Sequence, residues 1–168
     1  IIERNPNLEY FRKNQIEVLF LTDPVDVFIT PAVGEYQGKK IISIEKADID
    51  LKPEEKIEKP EDSLSKSLLG VFKDVLKDKI ADVIASKRLV DSPATLVAQK
   101  DGMDAQMEKM MKAMNKDFVG RKKIMEINLS HPLIRNLSRL FIANPQDPLL
   151  EKCIIQLYEV ILLIEDSL

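Results

Sequence analysis

KKIMEINLSHPLI, residues 122–134, is the segment most informative about the kind of fold, because its pattern changes from that of a strand to that of a helix. The first part, KKIMEIN at residues 122–128, is interpreted as a strand. Ser-His-Pro at 130–132 then has the form of a helix start, and helical spacing continues to about Ala143. A strand that leads into a helix in this way predicts an α+β domain, with a small sheet packed against helices.

The segments on both sides of this one predict the same fold class. Apolar spacing and breaks predict a helix over about 63–78, strands over 80–89 and 94–99 joined by a turn at 91–93, a helix over 102–116, and a last helix over about 149–166. Residues 63–168 are therefore predicted to form one domain with a short three-stranded sheet, helices and a terminal helix.

Residues 1–46 are predicted to form a smaller α/β unit. Glu17–Leu21 is a compact apolar run, interpreted as an inner strand, and Ile41–Ile44 is interpreted as a second strand. A helix that begins near Asp23 separates the two. The strand–helix–strand order predicts a parallel pair with a right-handed crossover.

A charged segment, KADIDLKPEEKIEKPED at residues 46–62, separates the two units. It holds four lysines against seven acidic residues, and this excess of acid equals the net charge of the whole chain, −3. With two prolines and few apolar residues, it predicts a solvated linker over 47–62. An acidic docking segment is the less favoured interpretation.

Composition excludes several classes of protein. With 45% apolar and 32% charged residues, the chain is neither disordered nor of low complexity, and a net charge of −3 gives no basic field for nucleic acid. The longest apolar runs are about five residues, whereas a membrane span needs about 20, so no membrane partner is expected. The single cysteine, Cys153, predicts a buried thiol in an intracellular, cytoplasmic protein. The chain begins with isoleucine and shows no signal peptide, and we expect it to be a piece of a longer protein.

No catalytic, cofactor or metal site is predicted, so this chain is not expected to be an enzyme by itself. Gly34-x3-Gly38-Lys39-Lys40 is superficially similar to a phosphate-binding loop, but it is one residue short and Lys40 stands where Ser or Thr should hold magnesium. A hairpin-like turn is the preferred interpretation. The lone His131 has no second His or Cys at ligand spacing, and it is expected at a helix entrance.

Five of the six methionines fall within twelve residues and lie on one side of the predicted helix at 102–116. We call them, with the phenylalanine that follows, the methionine stripe: Met103, Met107, Met110, Met111, Met114 and Phe118. The opposite, solvated face is predicted to be Asp104, Gln106, Glu108, Lys109, Lys112 and Lys116.

Two interpretations of the methionine stripe remain open. Burying five methionines is worth about 7–15 kcal/mol, which is comparable to the stability of a whole domain. The stripe could therefore pack on the protein's own sheet. Alternatively, flexible and polarisable methionine suits a surface that must fit partners of many shapes.

The last predicted helix is apolar on nearly every side, apart from a narrow polar stripe at Lys152, Gln156 and Glu159. Such a helix must be enclosed, either within its own domain or by a helix from a second subunit. The predicted dimer-interface residues are Leu149, Leu150, Cys153, Ile154, Leu157, Tyr158, Ile161, Leu162 and Ile164.

Several segments, taken together and in order, resemble the ninety-kilodalton heat-shock protein chaperone family, in particular its bacterial branch, HtpG. They are LEYFRKNQIEVLFLTDPVD at 8–26, EYQGKKIISI at 35–44, VIASKRLVDSPATLVAQ at 83–99, MDAQMEKMMKA at 103–113 and KKIMEINLSHPLI at 122–134.

This resemblance implies a role for each part of the chain. Residues 1–46 would end the middle domain, and 63–168 would be the C-terminal dimerisation domain, without the family's last helix. The methionine stripe would contact unfolded client proteins, and the helix from Leu149 would be one arm of a four-helix homodimer bundle. ATP and magnesium would bind to the N-terminal domain, upstream of this chain. A self-contained adaptor that binds one partner helix through the methionine stripe is the alternative.

Overall fold

The computed structural model describes residues 5–47, 49–51, 62–103, 105–115 and 118–166. After a 3-10 turn at Pro6–Leu8, the elements are α1 Glu9–Lys13, α2 Asp26–Val33, β1 Glu35–Tyr36, β2 Lys39–Lys40, α3 Asp62–Leu76, β3 Asp82–Ala85, β4 Ala94–Val97, α4 Ala105–Met114, β5 Ile124–Ile127, α5 Pro132–Ala143 and α6 Pro148–Asp166. This arrangement confirms the predicted α+β fold with a three-stranded sheet.

The strand predicted from residues 122–128 lies in the middle of the three-stranded sheet. The order is β3-β5-β4, with β5 parallel to β3 and antiparallel to β4. Met125 and Ile127 of β5 are fully buried, as expected for apolar residues of a central strand. The strands predicted at 80–89 and 94–99 are present in shorter form, but β5 separates them, so the turn at 91–93 does not join neighbouring strands.

Helices α3, α5 and α6 enclose one hydrophobic core with this sheet. On α3, Leu68, Phe72 and Leu76 recur every four residues, so all three face the sheet, and none is more than 1% exposed. α5 begins as predicted, since Nδ1 of His131 accepts a hydrogen bond from the backbone N–H of Leu133 at 3.1 Å. His131 is therefore the N-cap of α5, which places it at the helix entrance.

The prediction of a parallel strand pair in the first unit is wrong. Neither 17–21 nor 41–44 is a strand, and the only ladder of this unit in the described residues is the antiparallel hairpin of β1 and β2. An apolar run becomes a strand only if a neighbouring backbone pairs with it. Leu19 is 79% exposed, because no described element covers this segment.

The preferred interpretation of Gly34–Lys40 as a hairpin-like turn is confirmed. Gln37 and Gly38 connect β1 and β2, and both have positive φ, 49° and 76°. Such a pair is typical of the tight turns whose twist matches that of hairpin strands. The glycine is needed here for its backbone conformation, since only glycine adopts such a φ readily.

Polar contacts fasten the first unit to the second. The Glu9 carboxylate accepts hydrogen bonds from the backbone N–H groups of Val90, at 2.6 Å, and Asp91, at 2.8 Å. The Arg88 guanidinium donates to the carbonyl oxygens of Ile44 and Lys46. Arg88 is 1% exposed, so the two bonds from its guanidinium are shielded from water and are stronger than they would be in it.

The start of the predicted linker is attached to the fold. Lys46 forms an isolated parallel bridge with Ala98, and Leu51 is buried against Tyr10 and Phe11. Residues 48 and 52–61 of the predicted linker lie outside the described residues. The predicted linker is therefore not solvated at Leu51, because burying an apolar side chain against other apolar side chains is favourable.

None of the helices among the described residues has the length and apolar character needed to cross a membrane.

Candidate functional site

α4, which carries most of the methionine stripe, lies in the long connection between β4 and β5. It follows a tight turn in which the N–H of Gly102 donates to the carbonyl oxygen of Gln99 at 2.8 Å. A Cβ on Gly102 would lie 2.9 Å from that same oxygen, closer than real Cβ contacts. Glycine at this position therefore allows the chain to turn into α4.

The methionine stripe is not sealed within the protein. Met103 is 37% exposed and Met114 is 78% exposed, while Met107, Met110 and Met111 are half-buried. Phe118 is also half-buried. None of these side chains belongs to the hydrophobic cores that the described residues form. The structure therefore leaves an accessible sulfur-rich surface along α4.

Glu108 is the residue of α4 that departs most from the prediction. It was assigned to the solvated face, but it is only 9% exposed. Both carboxylate oxygens lie 3.1 Å from the position that a Cβ on Gly120 would occupy. The prediction was wrong because helical spacing alone cannot show that the segment after α4 returns to cover this face.

A cavity of about 200 Å³ opens beside α4. Its walls are formed by the residues that flank the helix and by Glu108, namely Asp101, Met103, Glu108, Phe118, Val119 and Arg121. The Arg121 guanidinium donates to the carbonyl oxygen of Asp101 at 3.1 Å. Apolar walls with one buried carboxylate can hold a ligand that is apolar along its length and polar at one end.

The predicted dimer-interface residues of α6 divide into three groups. Five are buried in the chain's own core: Leu150, Ile154, Leu157, Tyr158 and Ile161. Cys153 and Leu162 are half-buried against the same core, and Leu149 and Ile164 are exposed. Enclosure within the domain thus accounts for one side of α6, and the other side is exposed.

Two exposed residues of α6 were missing from the predicted interface. Val160 is 46% exposed and Leu163 is 70% exposed, and with Ile164 they form an apolar patch at i, i+3 and i+4 spacing. We call these three residues the α6 patch. The sequence contained a usable signal, because Val160 and Leu163 continue the polar stripe that runs through Lys152 and Gln156.

A charged pair ties the end of α6 to the sheet and lies close to Glu108. Nζ of Lys123 donates to the Glu165 carboxylate at 2.7 Å. Burial raises the pKa of Glu165, the bond from Lys123 lowers it, and the negative charges of Glu45 and Glu108 raise it further. The pKa of Glu165 is raised overall because burial, the largest cause, outweighs the bond from Lys123.

In the part of the chain that the structure describes, no three His, Cys, Asp or Glu side chains are grouped closely enough to hold a metal ion.

Comparison with known proteins identifies the family. The sequence pattern of the family described as Hsp90 protein matches residues 1–166. The chain is 52% identical over 166 residues to the chaperone protein HtpG of Chlorobium phaeovibrioides, 49% identical over 170 residues to that of Chlorobaculum tepidum, and 38% identical over 172 residues to that of Geobacter metallireducens.

Each of these alignments covers nearly all of this chain, 98% for Chlorobium phaeovibrioides, but only 27% of that relative. The chain thus spans about a quarter of the length of the relatives that it matches. The match from end to end confirms the resemblance found in the separate motifs, and the chain belongs to the Hsp90 protein family.

Proposed function

We propose that this chain is the C-terminal portion of a cytoplasmic HtpG-type chaperone, with unfolded client proteins and a second copy of itself as partners. Residues 1–46 would be the C-terminal end of the middle domain, and 63–168 would form the C-terminal domain. Residues 47–62 would be the linker between these two domains. ATP and magnesium would bind elsewhere in the protein, so this portion would bind clients and catalyse no reaction. The names and the identity of the relatives support the chaperone role.

The observation that carries the client-binding role is the exposure of the methionine stripe. Met114 is 78% exposed at the end of α4, and Met103 is 37% exposed before its start. Large apolar side chains in water mark binding surfaces when they are grouped. Methionine is unbranched and polarisable, so this surface would adapt to unfolded segments of differing shape.

The client role is tested with Met103→Gln and Met114→Gln together in the full-length protein. Both side chains are exposed, so the fold should remain intact. We expect several-fold weaker suppression of the aggregation of a chemically denatured enzyme, because the apolar surface that binds it is lost.

The matched control is Leu133→Gln with Ile142→Gln, which removes two exposed apolar side chains, 40% and 58% exposed, from α5. This control should suppress aggregation as the wild type does. Unchanged suppression by the methionine variant would contradict the client role. Strong preference for one peptide over many unfolded ones would favour the adaptor function instead.

Dimerisation is proposed through the α6 patch. Val160, Leu163 and Ile164 are exposed on one side of a helix whose other side is fixed in the core. Three side chains are too few for the roughly 800 Å² per partner of a stable interface. The patch would therefore be completed by the additional helix that the family resemblance implies.

The dimer is tested by sedimentation of this chain and of a form extended by the next segment of its gene. We expect a dimer at micromolar concentration for the extended form, and at least tenfold weaker association for Leu163→Glu. Ile142→Glu, on the exposed side of α5, is the control and should not change association. A monomer at both lengths would contradict the proposal.

A further inference from the structure

The carboxylate of Glu108 is buried and is not paired with any residue that the structure describes. It is 9% exposed, and no hydrogen bond or ion pair reaches it from the residues that the structure describes. A buried charge is costly unless a cation or several hydrogen bonds compensate it. The ammonium group of Lys123, in the charged pair nearby, is bound to Glu165 at 2.7 Å. The cavity that Glu108 lines therefore offers a compensating cation access to its carboxylate.

The absence of a side chain at position 120 leaves room for this carboxylate. Gly120 presents only backbone to Glu108, since a Cβ there would lie 3.1 Å from each carboxylate oxygen. Contacts of that length would force the carboxylate to move. Gly120 thus makes room for the charge beside the cavity.

The cavity beside Glu108 has the form of a side-chain pocket. Met103, Phe118 and Val119 provide apolar walls, and Glu108 provides the negative charge within. Arg121, the cationic lining residue, donates to the carbonyl oxygen of Asp101, and no ion pair between it and Glu108 is found among the described residues. A volume of about 200 Å³ is smaller than that of most small-molecule pockets but suits one long side chain.

We propose that this cavity binds an arginine or lysine side chain of an apolar client segment, with the charged end at the Glu108 carboxylate. This inference rests on the proposed client-binding function and adds a preference to it. The aliphatic stem of a basic side chain packs on apolar walls while its head carries the charge. The methionine stripe would then bind apolar residues in general, and the cavity would select segments that also carry a basic residue.

The test compares two short fluorescein-labelled apolar peptides that differ at one central residue, arginine or its uncharged isostere citrulline. Binding to the full chain is measured by fluorescence anisotropy at low ionic strength. We expect the arginine peptide to bind about tenfold tighter, equivalent to about 1.4 kcal/mol. Glu108→Gln should abolish this difference and leave the affinity for the citrulline peptide unchanged.

Two further variants keep the result interpretable. Glu151→Gln, which removes an exposed carboxylate from α6, should retain the tenfold preference. Gly120→Ala should reduce the preference, because its Cβ would displace the carboxylate while the charge remains. Thermal unfolding of each variant verifies that it is folded.

The outcomes separate this inference from the function on which it rests. Equal binding of both peptides to the wild type would overturn the pocket and leave the client role standing. A tenfold preference that survives in Glu108→Gln would also overturn it. If neither peptide binds, then both the pocket and the client role are contradicted.

Discussion

α4 and α6 are both rich in apolar residues, yet the protein treats them in opposite ways. α6 packs against α3, α5 and β4, and Ile154 near its middle is completely buried. α4 makes no comparably close contact with another described element, and Met114 at its end is 78% exposed. Apolar content in a sequence thus predicts that a helix has an apolar face. Whether that face is buried depends on which other elements pack against it.

The same difference extends to buried charge. On the sheet, the Glu126 carboxylate accepts bonds from Nε of Arg88 at 3.0 Å and from the hydroxyl of Ser86 at 2.7 Å. On α4, the carboxylate of Glu108 has no comparable partner in the described chain. The buried carboxylate of the sheet is therefore compensated by its neighbours, whereas that of α4 is not compensated by another described residue.

The largest effect on the free energy of unfolding is expected from replacing Glu126, the buried carboxylate that is paired with Arg88. Glu126→Gln should lower the free energy of unfolding by about 3–5 kcal/mol, since it leaves the Arg88 guanidinium buried without its counter-ion. Glu108→Gln should leave that free energy unchanged or raise it. Urea denaturation of both variants measures this, and equal losses would show that the two carboxylates have the same role.

A smaller effect is expected from the apolar side chains of α6. Ile154→Ala should cost about 2–5 kcal/mol, because it leaves a cavity in the core. Leu163→Ala, on the exposed side of the same helix, should change the free energy of unfolding by less than about 0.5 kcal/mol. Denaturant midpoints of the chain at low concentration distinguish the two. A large loss for Leu163→Ala would mean that this side is covered as well.

The smallest expected effect is a pH dependence of the free energy of unfolding that comes from Glu165. The folded-state pKa of Glu165 is raised by burial, so the folded state holds its proton more tightly than the unfolded state does. The wild type should therefore lose stability as pH rises from the ordinary value of 4.5 through the raised pKa. Glu165→Gln removes this dependence.

The corresponding measurement is a series of urea midpoints across that pH range. The stability of Glu165→Gln relative to the wild type should increase with pH. Glu151→Gln, which removes an exposed charge from the same helix, is the control. A relative stability that decreases with pH would mean that the bond from Lys123 outweighs burial.

The sequence was sufficient for those parts of the fold that depend on local pattern. α5 with its His131 cap, the start of α6 after the break at 144–148, and the turn at Gln37 follow from capping, spacing and turn chemistry. The strand order was not accessible, because pairing joins residues that are far apart in the chain. Glu17–Leu21 was misassigned for the same reason, since no strand of the described chain pairs with it.

The candidate site was predictable to a similar extent. Periodicity placed the methionines of α4 on one side of the helix, and it could also have placed Val160 and Leu163 together on the α6 patch, whereas the role of either surface stays a prediction. It could not identify Glu108, whose burial depends on the return of the chain at Gly120. The sequence pattern of a helix shows which residues share one face. Which other residues pack against that face depends on tertiary contacts, which the pattern does not contain.

The junction between the two units has a consequence for how this family can vary. Most of the acceptors and donors that meet Arg88 and Glu9 across it are main-chain atoms, at Ile44, Lys46, Val90 and Asp91. Main-chain groups persist whatever side chain is attached to them. Substitutions at these four positions can therefore accumulate over evolutionary time while the joint keeps its geometry, provided that the arginine and the glutamate themselves are retained.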